Sequence, residues 1–511
     1  LTRTLWPRLR EFAEDAVLCV PSPHSEASNP KQKESNFMKK FTIKFIAAVL
    51  AVCLPFGAVM IAGFASQPQF GDTFLGELAD KQSRLEGIDE PKVVIIGGSS
   101  TAFGLRSDLL EDELGMPVVN FGLYATLGTK LMIDLARANL NDGDIVVIAP
   151  ELDAQTMSLY FNAESAWQAF DSDMSMLRHA RFKNYGALAG SFWEYAVSKL
   201  RYSRQGGLNP DGVYSKSSFN EYGDITYSRP HNIMLLEYGP NHPITLDSSI
   251  VSVDFAEYVN EFTKFAESKG ASVYFDFPPM NCLAVEQDTD EIYEFYRFLD
   301  ASFECEIIGN INSYILDERY FYDSNYHLND SGVLIRTALL AEDIKRALND
   351  DSPVSIALPP PPEKPKDESA SRYDMNAEYF LYEPYASGVI ITGVTDAAKS
   401  MTELTLPRFA DGVSVLAIGE RAFSECAALT TVTIHDNVAQ FYDNVFDGCG
   451  NLEMIILTAT NANAIAVGNN FLGGTRENCT IYLTREGFGN FVADYFWSKY
   501  SSRMDIVNLG E

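Results

Sequence analysis

Cysteine is sparse in this chain, seven in 511 residues, and no two are spaced Cys-x-x-Cys. That excludes a disulfide-dense scaffold and leaves no pair set out for a thioredoxin-type redox motif or a zinc knuckle. Positive charge is also short: 39 Lys and Arg stand against 70 Asp and Glu, a net charge of −31. Such a field repels a phosphate backbone, so a global nucleic-acid-binding footprint is excluded. No lysine follows Gly97-Gly98 in P-loop spacing, which counts against a nucleoside triphosphate there. What the chain does have is 46% hydrophobic residues and 21% charged. That suffices to bury cores, and the length suggests two to four domains.

One uncharged apolar run, Phe45 to Ala65, follows Met38-Lys39-Lys40 and Lys44. A helix of about 20 such residues spans a ~30 Å hydrocarbon core. Residues 38–66 are therefore expected to form a signal anchor, with the basic side cytoplasmic and the rest of the chain outside. Cleavage after Gly63-Phe64-Ala65 would instead release a secreted protein. Residues 1–37, polar and holding Pro21, Pro23 and Pro30, read as a disordered tail or a mis-called extension.

From 67 to 350, short apolar runs alternate with amphipathic helical patterns. The runs are Lys92–Ile96, Pro117–Asn120, Asp144–Ala149, Ser272–Phe277 and Cys305–Ile308. The helical patterns lie near Ser107–Leu114, Leu127–Leu140, Phe255–Ser268, Glu291–Ser302 and Leu334–Leu348. Buried strands separated by helices predict an α/β domain with a parallel sheet covered on both faces. Residues 154–250, rich in aromatics, Ser and Asn, read as an insertion forming a lid or substrate wall. Pro359 to Pro362 mark a stiff linker over 351–374.

Beyond it, at 375–511, lies a repeat. Ala422-Phe423, Cys426, Leu429, Val432 and Ile434 return as Val445-Phe446, Cys449, Leu452, Ile455 and Leu457, about 23 residues on, with a weaker copy at Phe471, Cys479 and Ile481. That period predicts a small solenoid with one strand and one helical or bent segment per turn. The register resembles the BspA-like (type 5) leucine-rich repeat over about Ser387–Leu483. Cys426 and Cys449 are expected as stacked core thiols, with a disulfide as the alternative, and pairing of Cys282 with Cys305 stays open. The solenoid is expected to be a binding module for a protein or glycan, held on a leash of about 20 residues.

Two motifs carry chemistry. The first strand runs into Gly97-Gly98-Ser99-Ser100-Thr101. At the carboxyl end of a parallel strand, small residues and a serine suit a nucleophile, a helix cap or an anion cradle. The second motif is Asp323-Ser324-Asn325-Tyr326-His327, before the last helix. A serine nucleophile needs a base, and the base an orienting acid. Otherwise Asn329 or Asp330 caps the helix and His327 merely packs.

Together these motifs resemble the SGNH (GDSL-like) hydrolase superfamily over about Lys92–Leu348, in particular its membrane-anchored DltD/AlgX-like bacterial members. The resemblance implies a flavodoxin-like three-layer sandwich with Ser99 as nucleophile, or Ser100 if the register slides by one. It implies His327 as base, Asp323 as acid, and the backbone N–H groups of Ser99 and Gly122 as oxyanion donors. Two departures stand out. The family's third block supplies an Asn, where this chain has Ala149-Pro150-Glu151-Leu152-Asp153; Asn232 is the named substitute. The acid lies four residues before the histidine, with Ser324 in the usual place. Asn120, Glu151 and Asn281 are expected to line the crevice. The implied activity is that of an esterase or O-acyltransferase on acyl esters, acetyl among them, of envelope or extracellular glycans, with no metal or organic cofactor. The alternative is a non-catalytic surface protein that binds a glycan and adheres through its repeats.

Overall fold

The computed structural model describes residues 30–181, 184–204, 207, 208, 210, 212–240, 242–363, 376–494 and 496–507. Most of the expected N-terminal extension and half of the expected linker lie outside them. Two compact units divide the chain, Leu1–Phe64 and Ala65–Glu511.

The first unit is described by one helix. It starts at Pro30, earlier than position 38, and runs to Ala65. Within it, Met38–Ala65 is 28 residues long, long and apolar enough to cross a membrane. Its Phe41, Ile43, Leu54 and Ile61 side chains are exposed.

The second unit contains a five-stranded sheet: β1 Val93–Gly97, β2 Val118–Gly122, β3 Ile145–Ile148, β4 Ser272–Phe275 and β5 Glu306–Ile307. Its order is β2-β1-β3-β4-β5, and every pairing is parallel. β1, β2 and β3 are buried at every position. They read as unbroken apolar runs because neither face meets water. On one face Val93, Ile95, Ile145 and Val147 pack with Leu110, Leu340 and Ile344 from helices Ser107–Leu114 and Asp330–Ala347. On the other, helices Thr129–Ala136 and Val253–Glu267 contact β1 and β4. The order reverses between β1 and β3, which opens a crevice at the carboxyl ends of those strands.

The repeats form two sheets. Glu403–Thr405, Thr431–Ile434, Met454–Leu457, Thr480–Leu483 and Met504–Ile506 pair in parallel, with Val432 opposite Ile455 and Ile455 opposite Ile481. The bent segments expected between them also pair, as short parallel strands Val413–Ile418, Gln440–Phe441 and Ala466–Val467. Phe423, Phe446 and Phe471 stack inside with Cys426, Cys449 and Cys479, all buried. The three cysteines are free thiols, as are Cys282 and Cys305. Burial pushes the Cys426 thiol up to about 11 and Cys449 to about 12.

The linker corrects an expectation. Its first half is pinned to the α/β region: Ser355 N–H donates to Glu113 at 2.7 Å, and Tyr320 Oη donates to Pro359 O at 2.9 Å. The repeats share one compact unit with the α/β region and do not hang on a leash.

Candidate functional site

β1 delivers Gly97 and Gly98 to the crevice, and a one-turn helix, Ser99–Ala102, starts there. Gly97 is required by space, because a Cβ there would stand 2.6 Å from the backbone Ala149 O; one on Gly98 would stand 2.1 Å from Oε2 of the Glu151 side chain. Ser99 Oγ lies 2.8 Å from His327 Nε2. His327 Nδ1 lies 2.7 Å from Asp323 Oδ1. All three side chains are buried.

The extra residue between Asp323 and His327 is absorbed by a tight loop. Ser324 Oγ accepts the Tyr326 N–H at 3.2 Å and the His327 N–H at 3.1 Å, and the Tyr322 N–H closes the loop onto His327 O at 2.8 Å. Asn329 caps the following helix, accepting from Ser331 and Gly332. Both roles weighed for this segment are therefore present: capping falls to Asn329, and His327 faces the serine. Ser100 does not face His327; its N–H donates to Glu151 Oε1 at 2.7 Å.

Three residues expected at the crevice serve elsewhere. Asn120 Nδ2 donates to Thr101 O and Asp224 Oδ1, bracing β2 against the first loop. Asn232 Nδ2 donates to Glu237 O and Glu318 O, so it is no substitute oxyanion donor. Asn281 Nδ2 donates to Glu237 O, and its Oδ1 accepts the Leu283 N–H. Each is buried, and a buried amide is held by the backbone it satisfies. The Gly122 N–H, assigned to the oxyanion by resemblance, donates to Asn120 Oδ1 at 3.1 Å. Glu151 does reach the site, with Oε1 3.3 Å from Ser99 Oγ.

Several neighbours were not anticipated. Phe103 stacks on His327 with centroids 3.9 Å apart and planes at 5°. Tyr214, from the insertion, donates to Asp323 Oδ2 at 2.6 Å. Burial, with the Asp323 charge adding to it, holds the Tyr214 phenol well above its ordinary range, so it stays a donor. Asn463 Nδ2, from the repeats, donates to Tyr214 Oη at 2.8 Å. The aromatic wealth of 154–250 signalled a wall; nothing local signalled Asn463.

Ser99, Glu151 and His327 open on a cavity of about 310 Å³. Tyr124, Asp153, His242 and Tyr326 form part of its wall, and Asn463, Asp494 and Phe496 of the repeat region complete it. His242 Nε2 lies 4.0 Å from Asp494 Oδ2, and its ring meets Phe496 edge-on at 4.8 Å. Burial lowers the pKa of His242 and raises those of Asp494 and Asp153. A second cavity, of about 300 Å³, shares Tyr124 and Thr126 with the first and is lined by Phe70, Tyr160, Tyr202 and Phe488 with Asn162, Gln168 and Asn490. Among the described residues no cluster of His, Cys, Asp or Glu is set out to hold a metal ion.

Residues 397–481 match the BspA type leucine rich repeat region in six copies. No curated protein matches the chain. Among solved structures, a leucine-rich repeat protein from Bacteroides ovatus is similar at 17% identity, with 22% of this chain and 38% of that one covered and a TM-score of 0.16. The leucine rich repeat protein of T. pallidum is similar at 16% identity, with 22% of this chain and 72% of that one covered and a TM-score of 0.16. The chain thus spans well under half of the first of these proteins, and what is matched in its own sequence is a leucine-rich repeat region of BspA type.

Proposed function

We propose that the protein is a serine esterase or O-acyltransferase of SGNH-like design, anchored by its N-terminal helix and acting outside the cytoplasm on acyl esters of envelope or extracellular glycans. The observation that carries this reading is the unbroken chain Ser99–His327–Asp323, at 2.8 and 2.7 Å, opening on a cavity at the carboxyl ends of a parallel sheet.

In this reading Ser99 Oγ attacks the ester carbonyl as His327 Nε2 takes its proton. Asp323 fixes the ring proton on Nδ1 and balances the imidazolium. His327 then protonates the departing alcohol. Water or a sugar hydroxyl, deprotonated by the same nitrogen, takes the acyl group from Ser99. Phe103 and Tyr214 keep the ring and the acid in line. The second cavity supports a glycan substrate, because aromatic faces beside amide groups suit a sugar's C–H face and hydroxyls. The apolar span Met38–Ala65 supports anchoring, with signal cleavage as the alternative.

A second reading, a glycan-binding surface protein without turnover, is favoured by one observation: Gly122 N–H and the Asn232 amide are engaged and offer no oxyanion donor. Hydrolysis of p-nitrophenyl acetate and labelling by a fluorophosphonate separate the two. Turnover and labelling that vanish in Ser99→Ala but persist in Ser100→Ala are expected. A folded wild type that does neither, yet binds acylated glycans, sinks the enzyme.

A further inference from the structure

The Ser99 hydroxyl has one proton and two acceptors in reach, His327 Nε2 at 2.8 Å and Glu151 Oε1 at 3.3 Å. Asp323 beside Nδ1 holds the imidazole proton there, which leaves Nε2 as the acceptor. The serine proton therefore goes to His327, and Glu151 receives nothing from Ser99. Glu151 Oε1 accepts the Ser100 N–H at 2.7 Å. Among the described residues its Oε2 is buried and meets no donor in hydrogen-bond geometry. Among the same residues the charge that acts on this carboxyl is Asp153, another anion, while the Ser100 and Glu151 N–H groups and the Ser100 hydroxyl pull its pKa the other way. A carboxylate oxygen with neither hydrogen bond nor cation is strongly disfavoured in the interior, and a proton on Oε2 removes the charge. Burial, the largest influence on this group, raises its pKa in the same direction.

We propose that Glu151 is a neutral carboxylic acid whose O–H donates to the oxyanion formed when Ser99 attacks, filling the place of the missing third-block asparagine. This rests on the acyl-transfer reading above. When Oγ bonds to the carbonyl carbon, the π pair moves onto the carbonyl oxygen, which then sits one bond angle from the atom Glu151 already faces. The terminal torsion of a glutamate is soft, so the carboxyl can turn to present the Oε2 proton to that oxygen. On collapse the C=O re-forms, the alcohol leaves with the proton from His327, and the Glu151 proton stays on Glu151. The absent side chain of Gly98 is what leaves room for the carboxyl.

The test compares Glu151→Gln and Glu151→Ala in the full chain. A glutamine keeps the Ser100 acceptor and places an N–H₂ donor at the Oε2 position. It is expected to retain kcat on p-nitrophenyl acetate within about tenfold. Alanine is expected to lose on the order of 10²–10³ in kcat with KM little changed, and a melting curve checks its fold. Infrared difference spectra at neutral pH are expected to show a protonated carboxyl band that Glu151→Gln removes. Glutamine as damaging as alanine, or no such band, overturns the proposal. A wild type with neither turnover nor fluorophosphonate labelling overturns acyl transfer and the oxyanion role together, while the band still reports independently whether Glu151 is neutral.

Discussion

The α/β region and the repeat region bury their cores by opposite means. In the α/β region β1, β2 and β3 are buried at every position, and helices supply both covers. In the repeats each strand alternates, Val432 and Ile434 inward, Thr431 and Thr433 half-exposed, and the next turn is the cover. A sheet covered on both faces hides its sides and leaves its carboxyl ends for chemistry. A solenoid hides one side and leaves the other as surface. Ser99, Glu151 and His327 accordingly stand at strand ends and an adjoining loop, whereas Asn463, Asp494 and Phe496 enter the same cavity from repeat-region loops.

That contrast can be broken or sharpened. The largest effect is expected from Ser99→Ala and His327→Ala, each lowering kcat by on the order of 10⁴–10⁶ with melting unchanged. A loss of that size from Asn463→Ala would move the chemistry into the repeats and end the division of labour. Next, Ile455→Ala empties a buried position between two turns and is expected to cost about 2–5 kcal/mol in denaturant unfolding. Its kcat, measured below the transition, should hold. Tyr214→Phe removes one hydrogen bond to Asp323 and is expected to lower kcat by roughly tenfold, about 1.4 kcal/mol. Asn463→Ala, one step further from the ring, should cost no more than about threefold. The smallest signal is chemical. In the native protein Cys426 and Cys449, buried with raised thiols, should resist iodoacetamide while exposed Cys282 reacts, and all should react after unfolding.

Much of the architecture was legible because it repeats or alternates. All five α/β strands stand within a few residues of the apolar runs that announced them, and the Phe–Cys–Leu register marked the repeats. Ser99, Asp323 and His327 were legible because each sits in a short motif next to a turn. Asn120, Asn232 and Asn281 were misplaced because an asparagine's composition says nothing of which backbone it satisfies. The short second sheet of the repeats escaped because two-residue strands carry no period. Tyr214, Asn463 and Asp494 escaped for a different reason: their place depends on two distant regions docking, and periodicity reports only local neighbours. Glu151 was expected at the crevice, and its Oε1 stands 3.3 Å from Ser99 Oγ.

The repeat-region wall of the cavity also gives the protein a timetable. Ser99, Asp323 and His327 leave the ribosome well before Asn463, Asp494 and Phe496. At roughly 5–20 residues per second the interval is on the order of ten seconds. During it the nascent chain carries its three central side chains beside an unfinished wall. The site is closed by the part of the protein made later, so an interrupted chain would leave it open on one side.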